Sequence, residues 1–257
     1  MPAAYAIVQR ELIVPDVERL KRAFSVSPLL TGIDAQTTAN DAYGILLRGQ
    51  DLDQALALQE ALQREKIETE LVEESKLPVI PAAHVVRQME FQPTHLTLFD
   101  PMKRAAEVPW KDLMFIAAGY VRMREIRKHR ATLEEPSSHA PGIAQDTLRG
   151  VSSREEEHHH LLLDLFLKDG STRYSATADD FVFDHLGTRM SEDLSMNFVL
   201  LLQDLAGEAP HAGLNQGAFR ACQDPPELFP YPSKAAFNEE IIWMLWRIGR
   251  MTANASG

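Results

Sequence analysis

The sequence holds one cysteine, Cys222, among 257 residues. An intrachain disulfide framework and the cysteine-rich zinc folds are therefore excluded. Positive charge is also short. Twenty-six Lys and Arg stand against 37 Asp and Glu, a formal net charge of −11, so bulk attraction to nucleic acid or to an anionic membrane is not expected. No window reaches the ~18 uncharged apolar residues of a membrane-crossing helix; the richest, Ile241 to Trp246, stops at Arg247. The first apolar run ends at Gln9-Arg10-Glu11 and has no basic residue before it. It is too short for the apolar core of a signal peptide, and a cytoplasmic location is expected. Walker-type glycine loops, G-x-G-x-x-G, G-x-S-x-G, H-E-x-x-H and EF-hand patterns do not occur. The common nucleotide-hydrolysing, dinucleotide-binding, serine-hydrolase and zincin readings fall with them, although enzymes without a local signature stay open. No repeat of solenoid period is present.

What is there is an ordinary folded composition, 45% apolar and 25% charged, with length for one large domain or two small ones. Residues 5–10 read as a strand. Pro15 and Asp16 open a helix carrying Val17, Leu20 and Phe24 on one face. Tyr43 to Arg48 is a second strand, Asp51 is placed to cap a helix over 52–66, and Glu68 to Glu73 is a third strand. His84 to Phe91 is expected to add a fourth. This order fits a split β-α-β, ferredoxin-like arrangement over residues 1–77, followed by a linker or first-strand region at 78–93. Strands are expected at Thr94 to Phe99, Ala105 to Trp110 and Leu113 to Glu125, and again at Leu161 to Leu167 and Thr172 to Ala176. Asp169-Gly170 forms the hairpin turn of the last two. Residues 129–157 carry Pro, Ser, Gly and an acidic triplet and read as a mobile insertion. An amphipathic helix follows over 191–206. The remainder, 207–257, is a proline-containing segment and a final helix from about 234 to 250.

The segment Val108-Pro109-Trp110-Lys111-Asp112-Leu113, between two strands, resembles the opening strands of bacterial pleckstrin-homology-like domains. The resemblance covers about 94–206. It implies a small β domain closed by a C-terminal helix, here the one at 191–206, and implies no activity. The fold class expected is thus α+β: a ferredoxin-like domain, then a pleckstrin-homology-like β domain with C-terminal helices.

Charge is uneven along the chain. Residues 91–133 carry a net +4, between stretches of −5 and −10. In an extended strand Arg122 and Arg124 share a face, and with Arg127 and Lys128 they are the candidate for a small anionic ligand; the competing reading pairs them with the chain's own acids. His158 and His160 share a strand face and are the candidate metal ligands, set against a plain solvated His tract. Trp243 and Trp246, three apart on the last helix, are the candidate partner or dimer contact, set against core packing. Cys222 reads as a semi-buried thiol and Asp179-Asp180 as a turn. No catalytic residue and no cofactor is assigned. The leading functional expectation is a non-catalytic binding or regulatory protein with a protein partner or a second copy. A sensor of a small anionic ligand and a metal-dependent enzyme using His158 and His160 are the alternatives. Nucleic acid is not an expected partner.

Overall fold

The computed structural model describes residues 3–13, 15–27, 32–129 and 152–255. The chain begins with β1 (Tyr5–Gln9), α1 (Val17–Phe24), α2 (Gly32–Asp41), β2 (Ile45–Gln50), α3 (Leu52–Arg64) and β3 (Thr69–Glu73). The sheet order is β2-β1-β3, with both pairings antiparallel. β2 and β3 therefore run parallel on either side of β1, and α3 crosses between them. Asp16 caps α1 by accepting from the Arg19 amide at 2.9 Å, and Asp51 caps α3 by accepting from Gln54 at 2.8 Å, each satisfying an amide the helix start leaves open. Ile7, Leu20, Phe24, Leu46, Leu58 and Leu62 form the core between this sheet and the three helices. Sequence reading had no signal for α2, whose threonines, asparagine and aspartates make no apolar stripe.

The expected fourth strand does not join this sheet. The stretch His84 to Phe91 divides into β4 (Ala83–Val85) and β5 (Gln88–Phe91). Val86 and Met89 are buried in a second core, not in the first, and that burial decides where the strands go. β5 forms a three-stranded meander with β6 (His95–Phe99) and β7 (Ala105–Pro109). The other sheet is built on β8 (Leu113–His129), β9 (Ser152–Leu167) and β10 (Arg173–Thr177), with β4 added parallel to β10. The two sheets enclose Leu96, Leu98, Trp110, Ile116, Leu163 and Leu165, together with α4 (Leu194–Glu208). Segment 130–151 lies outside the described residues. Residues 152–157, expected in a loop, are instead the first part of β9. A backbone ladder to β8 holds them extended, and their polar sequence carries no apolar alternation to announce it.

After α4, the two-residue strand β11 (Gly213–Leu214), α5 (Gln216–Ala221) and the two-residue strand β12 (Pro230–Tyr231) lie along β8. The last element, α6 (Lys234–Ala255), is wedged between both sheets. Phe237 and Ile241 face the β8–β9 sheet with Phe115, Leu162 and Phe166. Trp243 and Trp246 face the N-terminal sheet with Ala6, Val8, Ile45 and Val72. Both faces of β1 are thus covered, and its run Ala6-Ile7-Val8 is apolar without alternation for that reason. The approach is close at Gly44. Its φ is +75°, and a Cβ there would lie 2.6 Å from the Trp243 ring, so only glycine satisfies both the backbone and the space. The polar edge of Trp243 is satisfied as well, its Nε1 donating to the Gln9 carbonyl at 2.7 Å.

Candidate functional site

The β8–β9 ladder outruns the rest of its sheet. β12 pairs with β8 as far as Val121 and β10 pairs with β9 back to Leu162, while β8 and β9 continue paired with each other to His129 and Ser152. Beyond Val121 and before Leu162 no other strand joins them among the described residues. The result is a two-stranded arm extending eight residues from Arg122 to His129, roughly 25 Å at about 3.3 Å per residue.

Arg122, Arg124, Arg127 and Lys128 all lie on the arm's β8 strand. The register sets Arg122 opposite His159, Arg124 opposite Glu157, Arg127 opposite Arg154 and Lys128 opposite Ser153. The acidic triplet Glu155–Glu157 stands opposite Ile126, Glu125 and Arg124, so one of these ladder pairs, Arg124 with Glu157, joins opposite charges. The remaining pairs do not alternate in sign: Glu125 stands opposite Glu156 and Arg127 opposite Arg154. The side chains of Arg124, Arg127 and Lys128 lie outside the described residues.

Arg122 sits at the base of the arm, where a cleft of about 390 Å³ opens between the N-terminal unit and the hairpin. Asn40, Tyr43, His159, Tyr231 and Pro232 line it with Arg122. The Arg122 Nε donates to the Pro232 carbonyl at 2.9 Å. The His159 ring stacks on Tyr120 at 4.7 Å. Tyr43 packs against Tyr231 with ring centroids 5.6 Å apart, and burial pushes its hydroxyl up from the usual tyrosine range. Among the described residues Arg122 is the formal cation of this lining. The arrangement suits one anionic group.

The His tract divides between the two strand faces. The His160 Nδ1 lies 2.9 Å from Asp179 Oδ2, His159 is on the Tyr120 stack, and His158 stands opposite Met123. Among the described residues no group of three or more His, Cys, Asp or Glu side chains comes together to hold a metal ion. Trp243 and Trp246 are covered by this chain's own N-terminal sheet, at 6% and 8% exposure. That corrects the expectation that they meet a partner: the helix is apolar around its girth because two sheets flank it. Cys222 is half-buried with its thiol pushed up by burial, an environment for an inert thiol.

Two buried polar groups escaped the sequence reading. Glu240 is fully buried. It accepts from the Tyr231 hydroxyl and, at 2.7 Å, from the Gln216 amide, and burial raises its carboxyl above the usual range. Asn215 completes the network, donating to Tyr231 Oη and to the Ala118 carbonyl, both at 2.9 Å. These contacts pin α5, β12 and α6 to β8. Asp164, also fully buried, is held by Arg173 at 3.1 Å with Lys234 4.0 Å away. Neither group lines the Arg122 cleft. Glu239 and Glu240 are neighbours in the first turns of α6, and their sequence does not distinguish them. In the fold Glu239 makes a two-pronged pair with Arg48, at 2.9 and 2.7 Å, and Glu240 turns inward.

The architecture is α+β. Comparison with protein-family models, with curated proteins and with solved structures finds no match. No helix among the described residues is long and apolar enough to cross a membrane.

Proposed function

We propose that the protein is a non-catalytic cytoplasmic binding or regulatory protein that acts through protein contacts, with the β8–β9 arm as its contact element. The observation that carries this is the arm itself, a ladder continued past every neighbouring strand among the described residues. Open strand edges offer backbone N–H and C=O groups to an added strand, and proteins that do not use such edges tend to cover or shorten them. The β8 edge from Arg122 to His129 carries four cations and one acid, which favours an extended acidic segment of a partner. For the architecture we favour a pleckstrin-homology-like second domain. The β5–β7 meander facing β8–β10 across one core with α4 supports it, and the split β2-α3-β3 crossover supports a ferredoxin-related first unit.

A second reading, a small anionic ligand in the Arg122 cleft, is favoured by the Arg122 guanidinium in a lining with Asn40, Tyr43, His159 and Tyr231. One experiment addresses both. Met123 and His158 are cross-strand partners, so an Asn-Gly turn between them closes the hairpin without the arm. A photo-crosslinker at Ile126 identifies the partner, which is then purified. The partner is expected to bind the full chain and to lose at least about tenfold affinity, roughly 1.4 kcal/mol, for the armless chain. Equal binding by both chains overturns the arm. Loss in Arg122→Ala with the arm intact moves the contact to the cleft.

A further inference from the structure

A second cationic site lies where the C-terminal half of α6 packs on the N-terminal sheet. α6 repeats one spacing twice: Arg247 follows Trp243 by four residues, and Arg250 follows Trp246 by four. Each guanidinium lies over the indole one turn back, at 5.0 and 4.7 Å. Because the indoles are buried in the core, the two guanidinium groups are held in fixed positions at the surface rather than free on flexible stems. Arg247 also donates to the Arg10 carbonyl. Arg10 follows β1, and its side chain makes no hydrogen bond or ion pair among the described residues.

Arg10, Arg247 and Arg250 line one cavity of about 460 Å³ with Glu70 and Met251. Glu70 pairs with Arg250 at 2.9 Å. Three guanidinium groups against one carboxylate leave two positive charges, in a chain whose overall charge is −11. A groove of about 570 Å³ adjoins it and shares Glu70 and Arg250. Leu71, Val72, Leu245, Trp246 and Gly249 line its length between β3 and α6, and Glu73 and Lys76, ion-paired with each other at 3.1 Å, also border it. The two spaces fall in the size range of small-molecule sites. A cationic head joined to an apolar groove describes an amphiphilic ligand. A phosphate monoester carries close to two negative charges at neutral pH, and its oxygens suit the guanidinium fork.

We propose that this site binds a small organic phosphate monoester, with the phosphate on Arg10, Arg247 and Arg250 and the apolar body along the β3–α6 groove. It is separate from the Arg122 cleft and from the arm, so its fate does not depend on theirs.

Phenyl phosphate and inorganic phosphate are the probes, titrated calorimetrically into the full chain. Phenyl phosphate is expected to bind at least about tenfold more tightly than inorganic phosphate. Arg10→Ala, whose side chain holds nothing else in place, is expected to weaken both probes about tenfold and leave the ligand-free melting temperature unchanged. Glu70→Gln removes the competing carboxylate and is expected to tighten both. A Cβ at Gly249 meets nothing within 4 Å, and Gly249 lines the groove, so Gly249→Phe is the variant chosen to fill it. It is expected to weaken phenyl phosphate while sparing inorganic phosphate. Vesicles containing phosphatidic acid are expected to show no preference over neutral vesicles; preferential binding that Arg10→Ala abolishes would replace the soluble ligand with a lipid headgroup. No heat from phenyl phosphate at about 10 mM, ten times a Kd of about 1 mM, overturns the proposal. So does binding that Arg122→Ala abolishes and Arg10→Ala does not.

Discussion

His185 shows how one residue ties the fold to pH. Its ring stacks on Phe91 at 5.1 Å and lies 6.3 Å from both Phe181 and Phe183. Both ring nitrogens are enclosed and make no hydrogen bond among the described residues. Burial holds its pKa below the ordinary histidine value; Asp204 and Asp184 oppose that shift and Arg189 reinforces it. The unfolded chain therefore binds a proton here before the folded one does. Stability attributable to His185 is complete above the unfolded value of about 6.5 and is lost as pH falls below it. His185→Phe keeps the ring contacts and removes the titration. Denaturant midpoints measured from pH 7 down to about 5 should fall more steeply for the parent than for this variant. Parallel curves would mean that the caged imidazole does not titrate in this range.

At the scale of elements, α6 contributes buried side chains to two cores. Its two aromatic positions on the N-terminal sheet are buried, and Trp243 adds a hydrogen bond to Gln9. Trp243→Ala is expected to cost about 3–5 kcal/mol, from lost burial and the cavity left between β1 and Gly44. Phe219, on α5 and 53% exposed, is the matched control, and its replacement by Ala should stay within about 0.5 kcal/mol. Urea unfolding of the two variants checks the difference. If both lose the same amount, the wedge is not where the stability lies. The arm is the opposite kind of element. Of its described residues, Met123 packs against the β8–β9 core from the arm's base, and closing the hairpin between Met123 and His158 keeps it, so the midpoint should stay nearly unchanged.

For the whole molecule, the N-terminal unit and the second unit are joined by more than a linker. The sheet β2-β1-β3 has its own three helices on one face, but its other face is completed by a helix that begins at Lys234. Arg48 and Glu239 add a paired contact across the same junction. Residues 1–77 expressed alone would expose Ala6, Val8, Ile45 and Val72, and they are expected to lack a cooperative thermal transition. The full chain should unfold in one transition. Circular dichroism melts of both test this, and a sharp melt of the fragment would show that the first unit folds alone.

Most elements could be read from local pattern. The caps at Asp16 and Asp51, the apolar stripes of α1, α3 and α4, and the Asp169-Gly170 hairpin are short-range chemistry, and the elements form where that chemistry lies. The basic stretch at 122–128 was equally visible as composition. What pattern could not supply was partnership. The sequence 84–91 reads as one strand, yet it divides because Val86 and Met89 are buried in the second core. Polar residues 152–157 become strand because β8 lies alongside them. The apolar girth of α6 was plain in the sequence, but that it serves two sheets depends on contacts spanning more than 230 residues, such as Trp243 to Gln9. The same holds for the three arginines of the proposed phosphate site. Arg10 and Arg250 lie at opposite ends of the chain, and only the packing of α6 on β1 and β3 makes them one cluster. Local sequence determined which segments are helix or strand and where charge gathers. Burial of apolar faces, which depends on the whole chain at once, decided which segments meet.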